Sequence, residues 1–252
     1  MTDLANDFRY SPQAVAQHSS RPFNFRLWLS IPLLCMVLLL IVEPAPLDFA
    51  LAHWFYQPGV GFIGAKSFVL EDFLHDRAKQ AVILFGVLVI VGFIASLFVQ
   101  RLKPQRLTLG YLVLSLTLST SMVAPLKVLT AVQCPWNLSE FGATETYSNL
   151  LDQRPVTDKP GRCWPGGHAS SGFALLALFF ALRDRRPRLA RGALVFALAL
   201  GTVFSVGRML QGAHFLSHNV WTLLIDWTIC ALCYRWLLYR PKGIHLATLG
   251  KQ

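Results

Sequence analysis

The sequence predicts an all-α protein, a six-helix transmembrane bundle whose chemistry sits on the outer side, at the membrane interface. Three observations predict it. Of the 252 residues 54% are apolar and only 14% charged, whereas soluble chains carry nearer a quarter charged residues. Six apolar stretches can be marked, and clusters of Arg and Lys alternate between them with clusters of acids.

The stretches are 27–42, 81–99, 107–126, 169–182, 192–206 and 219–239. Crossing a hydrocarbon core of about 30 Å takes about 20 helical residues. The second, third and sixth meet that length, while the fourth and fifth are short and must extend through flanking polar residues. Those flanks carry His168 and Arg208, which points to a site near the interface. The first span is not followed by a small-residue cleavage site, so it does not read as a cleavable signal peptide. Glu43-Pro44-Ala45-Pro46 stops it. This division leaves a polar tail at 1–26, a membrane domain at 27–240 and a second tail at 241–252.

Charge placement orients the bundle. Basic groups flank the spans at Arg9, Arg21 and Arg26, at Arg101, Lys103 and Arg106, at Arg183 to Arg191, and at Arg240, Lys242 and Lys251. The alternate loops hold Glu43, Asp48, Glu71, Asp72 and Asp76, then Glu140, Glu145, Asp152 and Asp158. The positive-inside rule therefore puts both termini in the cytoplasm and the loops 43–80, 127–168 and 207–218 outside. The net charge of +10 is mostly this topology signal. Nucleic acid is excluded as a partner, because the cations are split among four separate segments; membrane lipids remain.

Two outer loops are more than connectors. The run 47–56 has aromatic weight, and suits either the headgroup layer or an ordinary packed loop helix. The loop 127–168 exceeds the length of simple connections and reads as functional. Within the spans, Cys35, Cys230 and Cys233 read as small apolar fillers, and Asp226 as a buried polar contact. His53 and His75 read as interfacial amphipathic side chains.

The chemistry concentrates in three outer segments. Lys127 ends the third span and precedes Cys134-Pro135-Trp136; Arg162-Cys163-Trp164-Pro165-Gly166-Gly167-His168 opens the fourth; Gly207-Arg208 closes the fifth, with His214 and His218 opening the sixth. A histidine titrating near neutrality can attack or protonate. An arginine fork or glycine N–H groups beside it can hold phosphate oxygens. The combination indicates phosphoryl chemistry at a membrane surface.

Lys127-x6-Cys134-Pro135, Pro165-Gly166-Gly167-His168 and Gly207-Arg208-x5-His214-x3-His218 together resemble the three motifs of the type 2 phosphatidic acid phosphatase superfamily, over roughly residues 47–240. The resemblance implies a lipid phosphatase of the bacterial inner membrane with its site facing the periplasm and no cofactor or metal. Its substrate would be a lipid phosphomonoester or diphosphate: polyprenyl diphosphate, phosphatidic acid, phosphatidylglycerol phosphate or lipid A phosphate. His214 would attack phosphorus to form a phosphohistidine, and His168 would protonate the leaving oxygen and then activate water. Lys127, Arg208 and the N–H groups of Gly166, Gly167 and His168 would hold the phosphoryl oxygens.

The chain departs from that pattern at four positions. Cys134 stands where the family has arginine, and Arg162, or less directly Arg154, is the available substitute cation. Gly166 and Gly207 replace serines. His218 replaces the aspartate that orients the nucleophile, and as a neutral ring it would accept the Nδ1 proton of His214. Cys134 and Cys163 share the outer side, where an oxidising periplasm favours a disulfide between them. Three other activities fit the same residues: a lipid phosphotransferase, a zinc site built on His214, His218 and His168, and a lipid-phosphate binder without catalysis.

Overall fold

The computed structural model describes residues 20–68, 77–154 and 156–241; the tails at 1–19 and 242–252, and His75, lie outside the described residues. The chain is helical almost throughout, with one two-stranded hairpin, Tyr56–Gln57 against Gly61–Phe62. In chain order the helices are α1 (Phe25–Ile41), α2 (Ala45–Trp54), α3 (Ala78–Phe98), α4 (Arg106–Ser121), α5 (Val123–Thr130), α6 (Gly167–Phe173), α7 (Leu176–Leu182), α8 (Pro187–Leu210) and α9 (Leu216–Leu237).

Among the described residues, four helical segments are long and apolar enough to cross a membrane: α3, the run through α4 and α5, α8 and α9. The sixfold count expected from the sequence is not reached on length. α1 has 17 residues, about 26 Å at 1.5 Å per residue. Beyond it Glu43 takes a left-handed φ of 47°, and α2 leaves at 86° to α1. The segment Gly167–Leu182 is also short, and it breaks between α6 and α7.

That short segment is nevertheless the centre of the bundle. Ala169, Phe173, Leu175, Leu176, Ala177 and Phe180 are buried against α4, α8 and α9. Outward positions of α1, α3 and α8 (Leu34, Leu38, Leu84, Leu88, Val195 and Phe196 among them) are exposed and apolar, the pattern of helices facing hydrocarbon.

Small residues set how closely the centre packs. A Cβ on Gly172 would lie 2.5 Å from the Cα of Gly201, so α6 and α8 cross at backbone contact. A Cβ on Gly201 would stand 2.2 Å from the ring of Phe173. At the opposite end Arg183, buried, donates to the Arg21 and Pro22 carbonyls and lies 4.7 Å over the Phe23 ring. This seats the segment before α1 against α7 and α9.

The region 43–68 forms a cap rather than a loose interfacial loop. Ala52 of α2 and Phe62 of the hairpin are buried with Leu138, Phe141 and Phe215, and Phe49 packs against this group. Of the run 47–56, residues 47–54 are a helix packed on its inner side, while Leu47 and Trp54 stay exposed on its outer side. In the 131–166 segment Leu138 bridges Glu145, and the Arg154 guanidinium donates to the carbonyls of Thr130, Asn149, Leu150 and Asp152. Arg154 is thereby committed to holding the loop on α5.

Gly201→Val forces the α6–α8 crossing apart, at about 1–3 kcal/mol for overpacking. The thermal midpoint in detergent should fall by roughly 2–12 °C. Gly192→Ala, with open space around its Cβ, should leave it unchanged or slightly higher. An unaltered midpoint in Gly201→Val would contradict the close crossing.

Candidate active site

The segment 161–166 reaches the start of α9 as irregular chain that bends at the cis Trp164–Pro165 bond. The Trp164 ring packs edge-on to Trp221, with centroids 5.3 Å apart. Gly166 donates its N–H to Thr222 Oγ1 at 2.8 Å, and Thr222 in turn donates to the His218 carbonyl at 2.9 Å. A Cβ on Gly166 would meet Asn219 Oδ1 at 2.5 Å, while Asn219 Nδ2 donates to the Phe215 carbonyl. Glycine at 166 therefore follows from close docking on α9. One expectation is corrected here: the Gly166 N–H is spent on Thr222, so it is not a phosphate donor. Gly167 and His168 open α6, where first-turn N–H groups have no helical acceptor.

His214 lies in the short turn between α8 and α9 and is 5% exposed. Its Nδ1 sits 2.7 Å from the Cys163 carbonyl. A carbonyl can only accept, so Nδ1 carries the proton and the neutral ring presents a lone pair at Nε2. Burial pushes the pKa of His214 well below its usual 6.5; the charges of Lys127, His218 and Arg208 push the same way, and the carbonyl opposes them weakly. The result is a neutral imidazole, with one tautomer, among cations. Gly212 makes the turn possible: its φ is +72°, its carbonyl accepts from the Trp136 N–H, and its Cα faces Phe62 closely.

The role expected of His218 is corrected by the same bond. The acceptor for the Nδ1 proton is a backbone carbonyl; the His218 ring stands 5.9 Å away, centroid to centroid, at 73°. His218 instead lines a separate cavity of about 110 Å³ with Tyr147, Ser217 and Trp221. Among the described residues no three His, Cys, Asp or Glu side chains gather as a metal-ligand set.

The cations are placed unequally. Lys127, in the last turn of α5, has its Nζ 3.6 Å from where a Gly167 Cβ would stand. Lys127, Gly167 and His168 line one cavity of about 540 Å³, whose other walls are mostly apolar residues of α3 and α4, including Val82, Val87, Ile90 and Leu116, with Lys79, Thr117, Thr120 and Ser171 among them. Arg208 donates to Gln211 Oε1 at 2.7 Å and stacks 5.5 Å from the Trp136 ring. Arg162 is exposed and makes no hydrogen bond or ion pair among the described residues, so nothing ties it to this cluster. Cys134 and Cys163 are joined by a disulfide, with Cα atoms 5.2 Å apart.

Several contributors escaped the sequence reading. Asp48 of α2, buried, accepts from the Ser217 N–H at 2.9 Å and from its hydroxyl, capping α9 from 169 residues away. No local signal could have found it. Gln211, three residues after Arg208, and Thr222, one turn after His218, sit at helical spacing from motif residues and were within reach of the pattern. Asp226 accepts from Ser170, which extends the polar contact between α9 and α6 inward.

Two outcomes test this geometry. A methyl at Gly166 strikes Asn219, so Gly166→Ala should lower any activity at least about tenfold, and adding Asn219→Ala should recover part of it through pairwise coupling. Additive losses would contradict the contact. His214 is held neutral in the folded protein, so its contribution to stability is complete above pH 6.5 and is lost as pH falls below it. The thermal midpoint should therefore drop more steeply from pH 7 to 5 in the wild type than in His214→Gln; parallel curves would contradict the burial.

Comparison with known proteins identifies a family. Residues 108–242, from α4 through α9, match the PAP2 superfamily. The lipid A 4'-phosphatase of Francisella tularensis subsp. novicida (strain U112) is 26% identical over 221 residues, covering 84% of this chain and 97% of that protein. No solved structure matches. With more than half of its length inside the family's own segment, and His168, Arg208 and His214 in it, the chain belongs to the PAP2 superfamily of membrane phosphatases.

Proposed function

We propose that the protein hydrolyses a phosphomonoester or diphosphate carried on a membrane lipid, through a phosphohistidine at His214. The observation that carries this reading is the buried, single-tautomer imidazole of His214, neutral beside Lys127 and Arg208. Cations around a neutral ring leave positive potential for an anion to neutralise, which is where a phosphoryl group would sit. Nε2 attacks phosphorus, the lipid oxygen leaves with a proton from His168, and Lys127, Arg208 and the Gly167 and His168 N–H groups hold the oxygens. His168 then takes a proton from water, whose oxygen attacks phosphorus and breaks the N–P bond. No step calls for a metal.

The lipid character of the substrate rests on the cavity at Lys127, Gly167 and His168. Its apolar walls on α3 and α4 suit acyl chains, and its polar end suits a headgroup phosphate. The similarity to a lipid A 4'-phosphatase favours a phosphorylated glycolipid within that class. The Arg and Lys distribution supports a six-span membrane domain with both termini cytoplasmic and this site on the periplasmic side. α1 and the α6–α7 pair would be the shorter spans.

Purified protein in detergent, assayed in excess EDTA against lipid A 4'-phosphate, phosphatidic acid, phosphatidylglycerol phosphate and undecaprenyl diphosphate, should release phosphate from at least one. His214→Ala should lower that rate by about 10³-fold or more, and Lys127→Ala by about 10²-fold. Unchanged turnover in His214→Ala, or loss in EDTA restored by zinc, would defeat the proposal.

A further inference from the structure

Cys163 is tied down on three sides. Its N–H donates to the Val132 carbonyl at 3.0 Å, its sulfur is bonded to Cys134, and its carbonyl accepts from His214 Nδ1 at 2.7 Å. Both cysteines are buried. The two extended segments they join run in backbone contact: a Cβ on Gly161 would lie 2.1 Å from the Val132 carbonyl oxygen. Cys134 leads directly into the turn Pro135–Asn137, whose Trp136 donates to the Gly212 carbonyl and stacks on Arg208. The sulfur bridge therefore lies between the peptide group that fixes His214 and the indole that seats Arg208.

Resting on the phosphatase reading, we infer that Cys163 is a positioning residue: its carbonyl sets the tautomer and aim of His214, and the Cys134–Cys163 disulfide holds that carbonyl in place. A peptide carbonyl takes the work of a carboxylate here, without the charge. A carboxylate swings on its own side chain, whereas this acceptor is only as fixed as the backbone that bears it. The covalent bridge supplies that fixity, and activity becomes sensitive to dithiols. Reduction breaks the Sγ–Sγ bond and forms two S–H groups; the two electrons and two protons come from an added dithiol, which ends as its own disulfide. The Cys163 peptide group then keeps the Val132 bond on its N–H, and its carbonyl is held only by the His214 ring it is meant to aim.

The test uses the full chain in nanodiscs with a lipid phosphate that the oxidised protein turns over. Dithiothreitol should lower kcat at least tenfold while KM stays within about twofold, and reoxidation should restore it. The Cys134→Ala/Cys163→Ala double variant should show the reduced rate and no response to dithiothreitol. A reduced protein that stays folded by circular dichroism and size exclusion, yet turns over at the oxidised rate, would overturn the inference. If reduction or substitution unfolds the chain, ¹⁵N-histidine spectra of the oxidised protein decide alone. A protonated Nδ1 and unprotonated Nε2 on His214 support the assignment, and the opposite tautomer defeats it. An oxidised protein that releases phosphate from no lipid defeats the phosphatase reading while leaving the tautomer result to stand.

Discussion

One hydrogen bond, from His214 Nδ1 to the Cys163 carbonyl, carries the constraint on which the site depends. A buried imidazole can hold its proton on either nitrogen, and only an acceptor in the right place selects between them. Here the acceptor is main chain, so the tautomer of one residue depends on the path of a segment 51 positions earlier. That path is over-determined. Val132 and Cys134 pin it on one side, Thr222 and the Trp164–Trp221 contact on the other. A loop of this length would otherwise sample many conformations, and the entropy of fixing it is offset by contacts distributed along its whole course.

Architecture and chemistry meet through small residues. Gly172 and Gly201 bring α6 and α8 together at the bundle centre, and Gly166 lets the motif loop lie against Asn219 and Thr222. Phe62 and Asp48 act from the N-terminal cap, one against Gly212 and the other on the first turn of α9. The family segment begins at residue 108, so this cap lies outside it. The cap, though outside that segment, supports the turn that carries His214.

The most lipid-facing span is legible in the sequence because such helices need unbroken apolar runs, as 81–99 shows. The central α6–α7 segment reads only as a short stretch, since protein rather than lipid surrounds it and its first turn is built of small residues. The Cys134–Cys163 pair is legible from its position beside two motifs, and the spacing of Lys127, His168, Arg208 and His214 is what singles those residues out as candidates. The acceptor for His214 is not, because a backbone carbonyl leaves no mark in a residue pattern. His218 occupies the aspartate's place in the motif without its contact, and Gly166 keeps the cradle's shape while its N–H turns to Thr222. Residue type predicts what a side chain can do; the backbone decides which group does it.

The central claim is that His214 is a nucleophile and His168 its proton partner, and trapping the covalent intermediate tests it most directly. Acid-labile phosphate should be recovered on His214 when the protein is quenched during turnover of a ³²P-labelled phosphomonoester with a good leaving group. It should accumulate further in His168→Gln, where attack proceeds but water is not activated. Label on another residue, or none in either protein while phosphate is still released, would contradict the account.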